Sequence, residues 1–87
     1  MGKYRVLIKP SAAKEIEAVD QRKDRQRIVA KILSLGEDPR PPGHEKLAGR
    51  EGRYRVRSGR HRIIYSIGDA ELEVVVVRVG HRREVYR

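Results

Sequence analysis

No cysteine occurs in the 87 residues. Disulfides, thiolate metal ligands and thiol nucleophiles are therefore excluded, and a reducing, cytoplasmic setting is expected. No apolar run approaches the ~18–20 residues that a membrane span needs. The opening MGKYRVLIKP is too short and too charged for a secretory signal, so no membrane association is expected. The three histidines are scattered, with no H-x-x-x-H spacing and no clustered carboxylates, so neither metal nor cofactor is expected. Gly-rich phosphate loops, internal repeats, linkers and low-complexity tracts are also missing. What is left is one domain, residues 1–87. A domain of this size is marginal alone, and a tight partner would add stability.

Cationic charge is abundant. Fifteen arginines and six lysines make up the 21 cations against 12 acidic residues, a net charge of +9. Such a balance favours a polyanionic partner, nucleic acid first, and says nothing about fold. Arginine is the better fork for phosphate and lysine the commoner solubiliser, so the arginine excess is informative. Arg53, Arg55, Arg57, Arg60 and Arg62 fall within ten residues, and Arg78, Arg82 and Arg83 follow after one hairpin. Every second side chain of a strand stands on one face, which groups several of these cations.

The pattern along the chain predicts β-α-α-β-β-β, with room for a final short strand. Lys3 to Lys9 alternates, Tyr4, Val6 and Ile8 against Arg5, Leu7 and Lys9, as in a half-buried strand. Pro10 is expected to end it and Ser11 to cap a helix carrying Ala12, Ala13, Ile16 and Val19. Asp24 is a cap for a second helix with the stripe Ile28, Val29, Ile32, Leu33 and Leu35, stopped by Gly36 at a C′ position. Glu37 to Glu51, rich in Pro and Gly, reads as a functional loop or a plain connector. Strands follow at Arg53–Arg57, His61–Ile67 and Glu71–Val79, with turns at Ser58-Gly59 and Gly68-Asp69 and a break at Gly80. Segregated elements of this kind predict an α+β fold: an antiparallel sheet packed on an N-terminal helical hairpin.

The C-terminal half, GRYRVRSGRHRIIYSIGDAELEVVVVRVGHRREVYR, resembles the RelE/ParE superfamily of bacterial and archaeal type II toxins. The matching elements are G-x-Y-R-V-R before a turn, R-I-I-Y on the next strand, a valine-rich strand, and V-G-H-R-R-E-V-Y. Leu47 to Gly49 and the order of the N-terminal elements also fit, so the resemblance spans essentially the whole chain. It implies a small toxin neutralised by a cognate antitoxin. The RelE branch enters the ribosomal A site and cuts mRNA; the ParE branch poisons DNA gyrase and is not known as a nuclease. A toxin-like module without activity is the third alternative.

RNA cleavage by the 2′-hydroxyl needs a proton acceptor, cations for the phosphorane, a proton for the 5′-oxygen and in-line geometry. The resemblance carries site positions onto Arg55 and Arg57 in Y-R-V-R, Arg62 in R-I-I-Y, Arg82 in G-H-R-R and Tyr86 in E-V-Y. Expected catalytic residues are Arg62, Arg82, Tyr86 and His81. Expected RNA-binding residues are Arg53, Arg55, Arg57, Arg60 and Arg83. RelE-type enzymes often place lysines where Arg55 and Arg57 stand, and an arginine cannot shuttle protons. His81, with a reference pKa of about 6.5, is therefore the expected acid for the 5′-oxygen. Tyr86 stacks on a base or assists at the 2′-hydroxyl. His61 alternates with Ile63 and Tyr65, which places it on the apolar side and argues against a ribonuclease-like pair with His81. Expected partners are an acidic antitoxin and the ribosome with mRNA, including rRNA contacts.

Overall fold

A computed structural model describes residues 3–49 and 52–81. Its elements are β1 (Arg5–Ile8), α1 (Pro10–Glu17), α2 (Arg22–Ser34), β2 (Glu45–Lys46), β3 (Arg53–Ser58), β4 (His61–Gly68) and β5 (Glu73–His81). One five-stranded sheet has the order β1-β5-β4-β3-β2. The expected antiparallel pairing holds from β5 through β2, while β1 runs parallel to β5 with Val6 opposite Val74. The α+β expectation is met. The tail beyond His81, where a last strand was expected, lies outside the described residues.

Local details differ from the sequence pattern for physical reasons. Pro10 opens α1 instead of separating it from β1, and Lys9 is the N-cap. Proline's fixed φ and missing N–H suit the first helical turn, which leaves Ser11 inside the helix. Gln21 caps α2, and Asp24 sits in its first turn, where a carboxylate complements the positive helix end. Gly36 follows the Leu35 C-cap but does not adopt the left-handed conformation. Its carbonyl accepts the Lys3 and Tyr4 N–H groups at 3.0 and 2.9 Å. A Cβ there would lie 3.0 Å from the Tyr4 carbonyl oxygen and 3.0 Å from Val6 Cγ2. This glycine is required by the close approach of β1. Gly36→Ala is expected to destabilise the fold by about 1–3 kcal/mol through overpacking, read as a lower melting temperature; an unchanged melt would show that β1 yields freely.

The core lies between one sheet face and the helices. Ala12, Ile16, Ile28, Ile32 and Leu35 meet Val56, Ile63, Tyr65, Val74, Val76 and Val79. Val29 and Leu33, expected in the same stripe, are 40% and 62% exposed. They stand one residue round the helix from Ile28 and Ile32, past the edge of the sheet's cover. With Ile16 and Ala30 they line an apolar groove bordered by Glu17, Arg25 and Gln26.

The valine run of β5 contains a bulge. Tyr65 pairs with Val76, but Ile64 pairs with Arg78, so Val77 is an extra residue on β5. Val74 and Val76 face the helices before it, and Val79 faces them after it. β5 runs on through Gly80 to His81, where a break was expected, because both residues stay paired with β4. The β4–β5 turn is longer than a two-residue tip: residues 69–72 form it, and Leu72 adopts φ 54.

Candidate active site

The arginines of β3 take the face away from the helices, because Tyr54 and Val56 pack against the core. Cross-strand register then defines two outer rungs. Arg55 stands opposite Ile64, which faces Arg78; Arg57 stands opposite Arg62, which faces Gly80. Arg57 is exposed, whereas Arg62 is 6% exposed. A guanidinium at that depth has little room to reorient, and its neighbour on β5 is Gly80. Arg53 lies further along the same face opposite Ser66, and Arg60 is exposed in the β3–β4 turn.

β2 brings a carboxylate onto this face. Glu45 pairs in register with Arg55, and their side chains form a 2.6 Å ion pair. Arg55 holds the Glu45 carboxyl below the usual carboxylate range, and Arg62 and Arg57 add to the same effect. Glu45 therefore stands in the combined field of all three arginines. A phosphate approaching Arg55 meets a guanidinium already shared with Glu45. Two strand residues in a proline-rich loop are too few to show a period, so no sequence signal marked Glu45.

The same loop is tied down at its start. Arg40 binds Asp69 through two hydrogen bonds of 3.2 and 2.9 Å, and the Tyr4 hydroxyl donates to the same carboxylate at 2.7 Å. The Arg40 guanidinium lies 5.5 Å from the centroid of the Tyr54 ring, within cation–π range. Arg40, then Tyr4, lowers the Asp69 pKa to about 2. A carboxyl depressed in the folded state stabilises above its unfolded pKa, near 4, and loses that contribution as pH falls toward 2. The melting-temperature difference between the wild type and Asp69→Asn is thus expected to be constant above about pH 4 and to vanish near pH 2. A difference independent of pH would mean that the carboxylate charge is not what holds the loop.

His81 does not share a face with Arg62. In register it stands opposite His61, which in turn stands opposite Ser58. This is the helix-side rung beyond Val56–Ile63–Val79. His61 takes the apolar side as expected, and the bulge brings His81 to it: the ring centroids are 6.1 Å apart with planes at 79°. His44 is elsewhere, its Nδ1 2.8 Å from the Pro41 carbonyl oxygen. Arg82, Arg83 and Tyr86 lie outside the described residues. The sheet thus gathers Arg55, Arg57 and Arg62 on one face and His61 with His81 on the other, the Arg57–Arg62 rung one residue and Arg55 three residues back from the histidines along the strands. Among the described residues no group of three or more His, Cys, Asp or Glu could hold a metal ion. No described helix is long and apolar enough to cross a membrane.

Residues 6–86 match the ParE toxin family of the type II toxin–antitoxin system parDE. Toxin RelG of Mycobacterium tuberculosis is 32% identical over 66 residues, covering 70% of this chain and 76% of that protein. Among solved structures, the toxin–antitoxin complex RelBE2 from Mycobacterium tuberculosis aligns with a TM-score of 0.79 at 26% identity, covering 92% of this chain and 99% of that one. A mutant of Escherichia coli toxin RelE in the free state aligns with a TM-score of 0.77 at 29% identity, covering 99% of this chain and 92% of that one. Sheet order, the helix pair and these matches agree: the chain belongs to the RelE/ParE superfamily of type II toxin–antitoxin toxins.

Proposed function

We propose that this toxin is a metal-independent, ribosome-dependent endoribonuclease that cleaves mRNA in the ribosomal A site and so stops translation. The observation that carries the reading is the outer face, where Arg55, Arg57 and Arg62 all act on one carboxylate, Glu45. A field that holds a carboxylate ionised also favours the extra negative charge of a phosphorane. Arg62 and Arg82 are assigned to that charge. Arg53, Arg55, Arg57, Arg60 and Arg83 hold the RNA backbone, Tyr86 stacks on or orients a base, and His81 supplies the proton to the 5′-oxygen. The ribosome contributes position, and the toxin's arginines reach rRNA phosphates as well.

The partner in this reading is an acidic, partly disordered antitoxin that orders on binding. The net charge of +9 supports it, as does the crystallised complex of a 26% identical relative. Its acidic residues would cover the arginine face, and its apolar residues have the groove of Ile16, Val29, Ala30 and Leu33 to fill.

The match to the ParE family over residues 6–86 favours a second reading, gyrase poisoning without nuclease activity. Programmed ribosomes separate the two. Cutting only with ribosomes, absent on naked mRNA and lost in Arg82→Ala, is the expected result. A folded protein that leaves ribosome-bound mRNA intact and accumulates gyrase–DNA cleavage complexes would establish the other; inactivity in both assays would leave a binding module.

A further inference from the structure

We infer that Glu45 is a built-in rival of RNA phosphate on the arginine face, a specificity-determining residue that keeps free RNA off the site. The inference deepens the endoribonuclease reading and rests on it. A nuclease that acts only on the ribosome needs a face cationic enough to hold a message, yet closed to RNA at large. Arginines alone do not make that distinction, because phosphate contacts are sequence-independent and carry non-specific binding. A carboxylate set among them does.

Its placement is fixed by the backbone. β2 pairs Glu45 with Arg55 and Lys46 with Tyr54. The Leu47 N–H donates to the Arg53 carbonyl oxygen at 2.9 Å and prolongs the same ladder. Residues directly opposite on antiparallel strands share a face, so the register sets Glu45 on the side of Arg53, Arg55 and Arg57. The chain ahead of β2 is fastened twice, by the Tyr65 hydroxyl on the Pro39 carbonyl oxygen and by Arg40 on Asp69. Glu45 is thus delivered to the arginines by the fold. Among the described strands, alternation sets one other carboxylate on this face, that of Glu73. It stands opposite Gly68, at the far end of β4 from Arg62, and pairs with Arg5.

The Glu45–Arg55 pair has an outer and an inner member: the Glu45 side chain is 61% exposed and that of Arg55 13%. Their polar atoms are 2.6 Å apart, so a phosphate that takes Arg55 must displace Glu45 or sit beside it. Displacement breaks a charge-assisted hydrogen bond, and sitting beside it sets like charges together. Arg55 first, then Arg62 and Arg57, hold the Glu45 carboxyl below the usual range, so the rival is ionised at neutral pH. A message held on the ribosome meets this carboxylate on other terms. It docks without the translational and rotational loss that a free strand suffers, which leaves free energy for displacing Glu45.

The test is fluorescence anisotropy of a dye-labelled single-stranded RNA oligonucleotide at several salt concentrations. It is titrated with the wild type, Glu45→Gln, Arg55→Gln and the double variant, each checked for folding by circular dichroism; Glu45→Ala replaces Glu45→Gln if the latter does not fold. Glu71→Gln removes the same charge from the exposed β4–β5 turn and controls for net charge. Glu45→Gln is expected to bind about 10-fold more tightly than the wild type. Its logarithmic salt slope is expected to steepen by about 0.7, the mark of one further phosphate contact on a single strand. Glu71→Gln is expected to stay within about 2-fold of the wild type. The gain from Glu45→Gln is expected to shrink to about 2-fold once Arg55 is gone, because the two residues act as a pair. Weaker binding by Glu45→Gln overturns the inference, since it makes Glu45 a support for Arg55 and not its rival. Unchanged binding, an equal gain in Glu71→Gln, or a gain undiminished without Arg55 overturns it too. Each of these leaves the endoribonuclease reading intact where the wild type cuts ribosome-bound mRNA. A wild type that does not cut overturns that reading, and the specificity role with it, whatever the Glu45 variant binds.

Discussion

Arg62→Ala is expected to slow ribosome-dependent mRNA cutting by about 10²–10³-fold, the usual loss when one preorganised donor to a developing oxyanion is removed. Three features single out Arg62 among the fifteen arginines. It is 6% exposed, so its guanidinium is oriented before substrate arrives. It shares a rung with the exposed Arg57 and with Gly80. Its charge reaches Glu45, as do those of Arg55 and Arg57, so the three cations act on one region. Arg62→Lys keeps the charge and loses the planar fork, so an intermediate rate is expected. Both variants are compared at matched folding, since removing a buried cation also alters stability. Cutting by a folded Arg62→Ala protein within a few-fold of the wild type would remove Arg62 from the site.

Tyr65→Ala is expected to cost about 3–5 kcal/mol of folding stability, as for other large aromatic truncations in cores. A small domain holds only about 5–15 kcal/mol in total, so this variant should lose a large share of its stability and melt well below the wild type. Tyr65 is fully buried on the central strand β4, among the largest side chains of the core. It stands opposite Tyr54 and Val76, and its hydroxyl donates to the Pro39 carbonyl oxygen at 2.7 Å. That bond fastens the start of the loop that carries Glu45. Tyr65→Phe keeps the ring and should cost about 1 kcal/mol. Burial pushes the Tyr65 phenol up to about 12. A raised pKa contributes stability below the unfolded value near 10 that is lost as pH rises toward 12. The wild type should therefore lose more stability than Tyr65→Phe across that alkaline window, as followed by denaturant unfolding. A Tyr65→Ala melt within a few degrees of the wild type would show that the core repacks around the cavity.

Much of the site was legible because strand alternation is a local property. Tyr54 and Val56 are apolar between Arg53, Arg55 and Arg57, and that pattern alone assigned the arginines to the outer face, where they stand. The helix stripes were legible for the same reason, but only as far as the sheet covers them: Val29 and Leu33 are apolar and exposed. The capping signals misled at Ser11, because Pro10 is equally suited to begin a helix. Gly36 carried the right residue for a helix end, yet its cause is the approach of β1.

Two features of the site had no local signature. Glu45 reaches Arg55 only because a two-residue strand pairs with β3. His81 joins His61 only because Val77 is an extra residue in β5; simple alternation from Val74 and Val76 would have set Gly80 toward the helices and His81 among the arginines. The sequence by itself determined the two helices and the order of every strand but β2, the cationic outer face, the apolar inner face and the family. Tertiary structure alone decided the parallel pairing of β1 with β5, the carboxylate on the arginine face and the meeting of the two histidines. The first set follows from side-chain periodicity along one strand or helix, which each segment carries within itself. The second depends on pairing between segments far apart in the chain, where a single bulge reverses every side chain that follows.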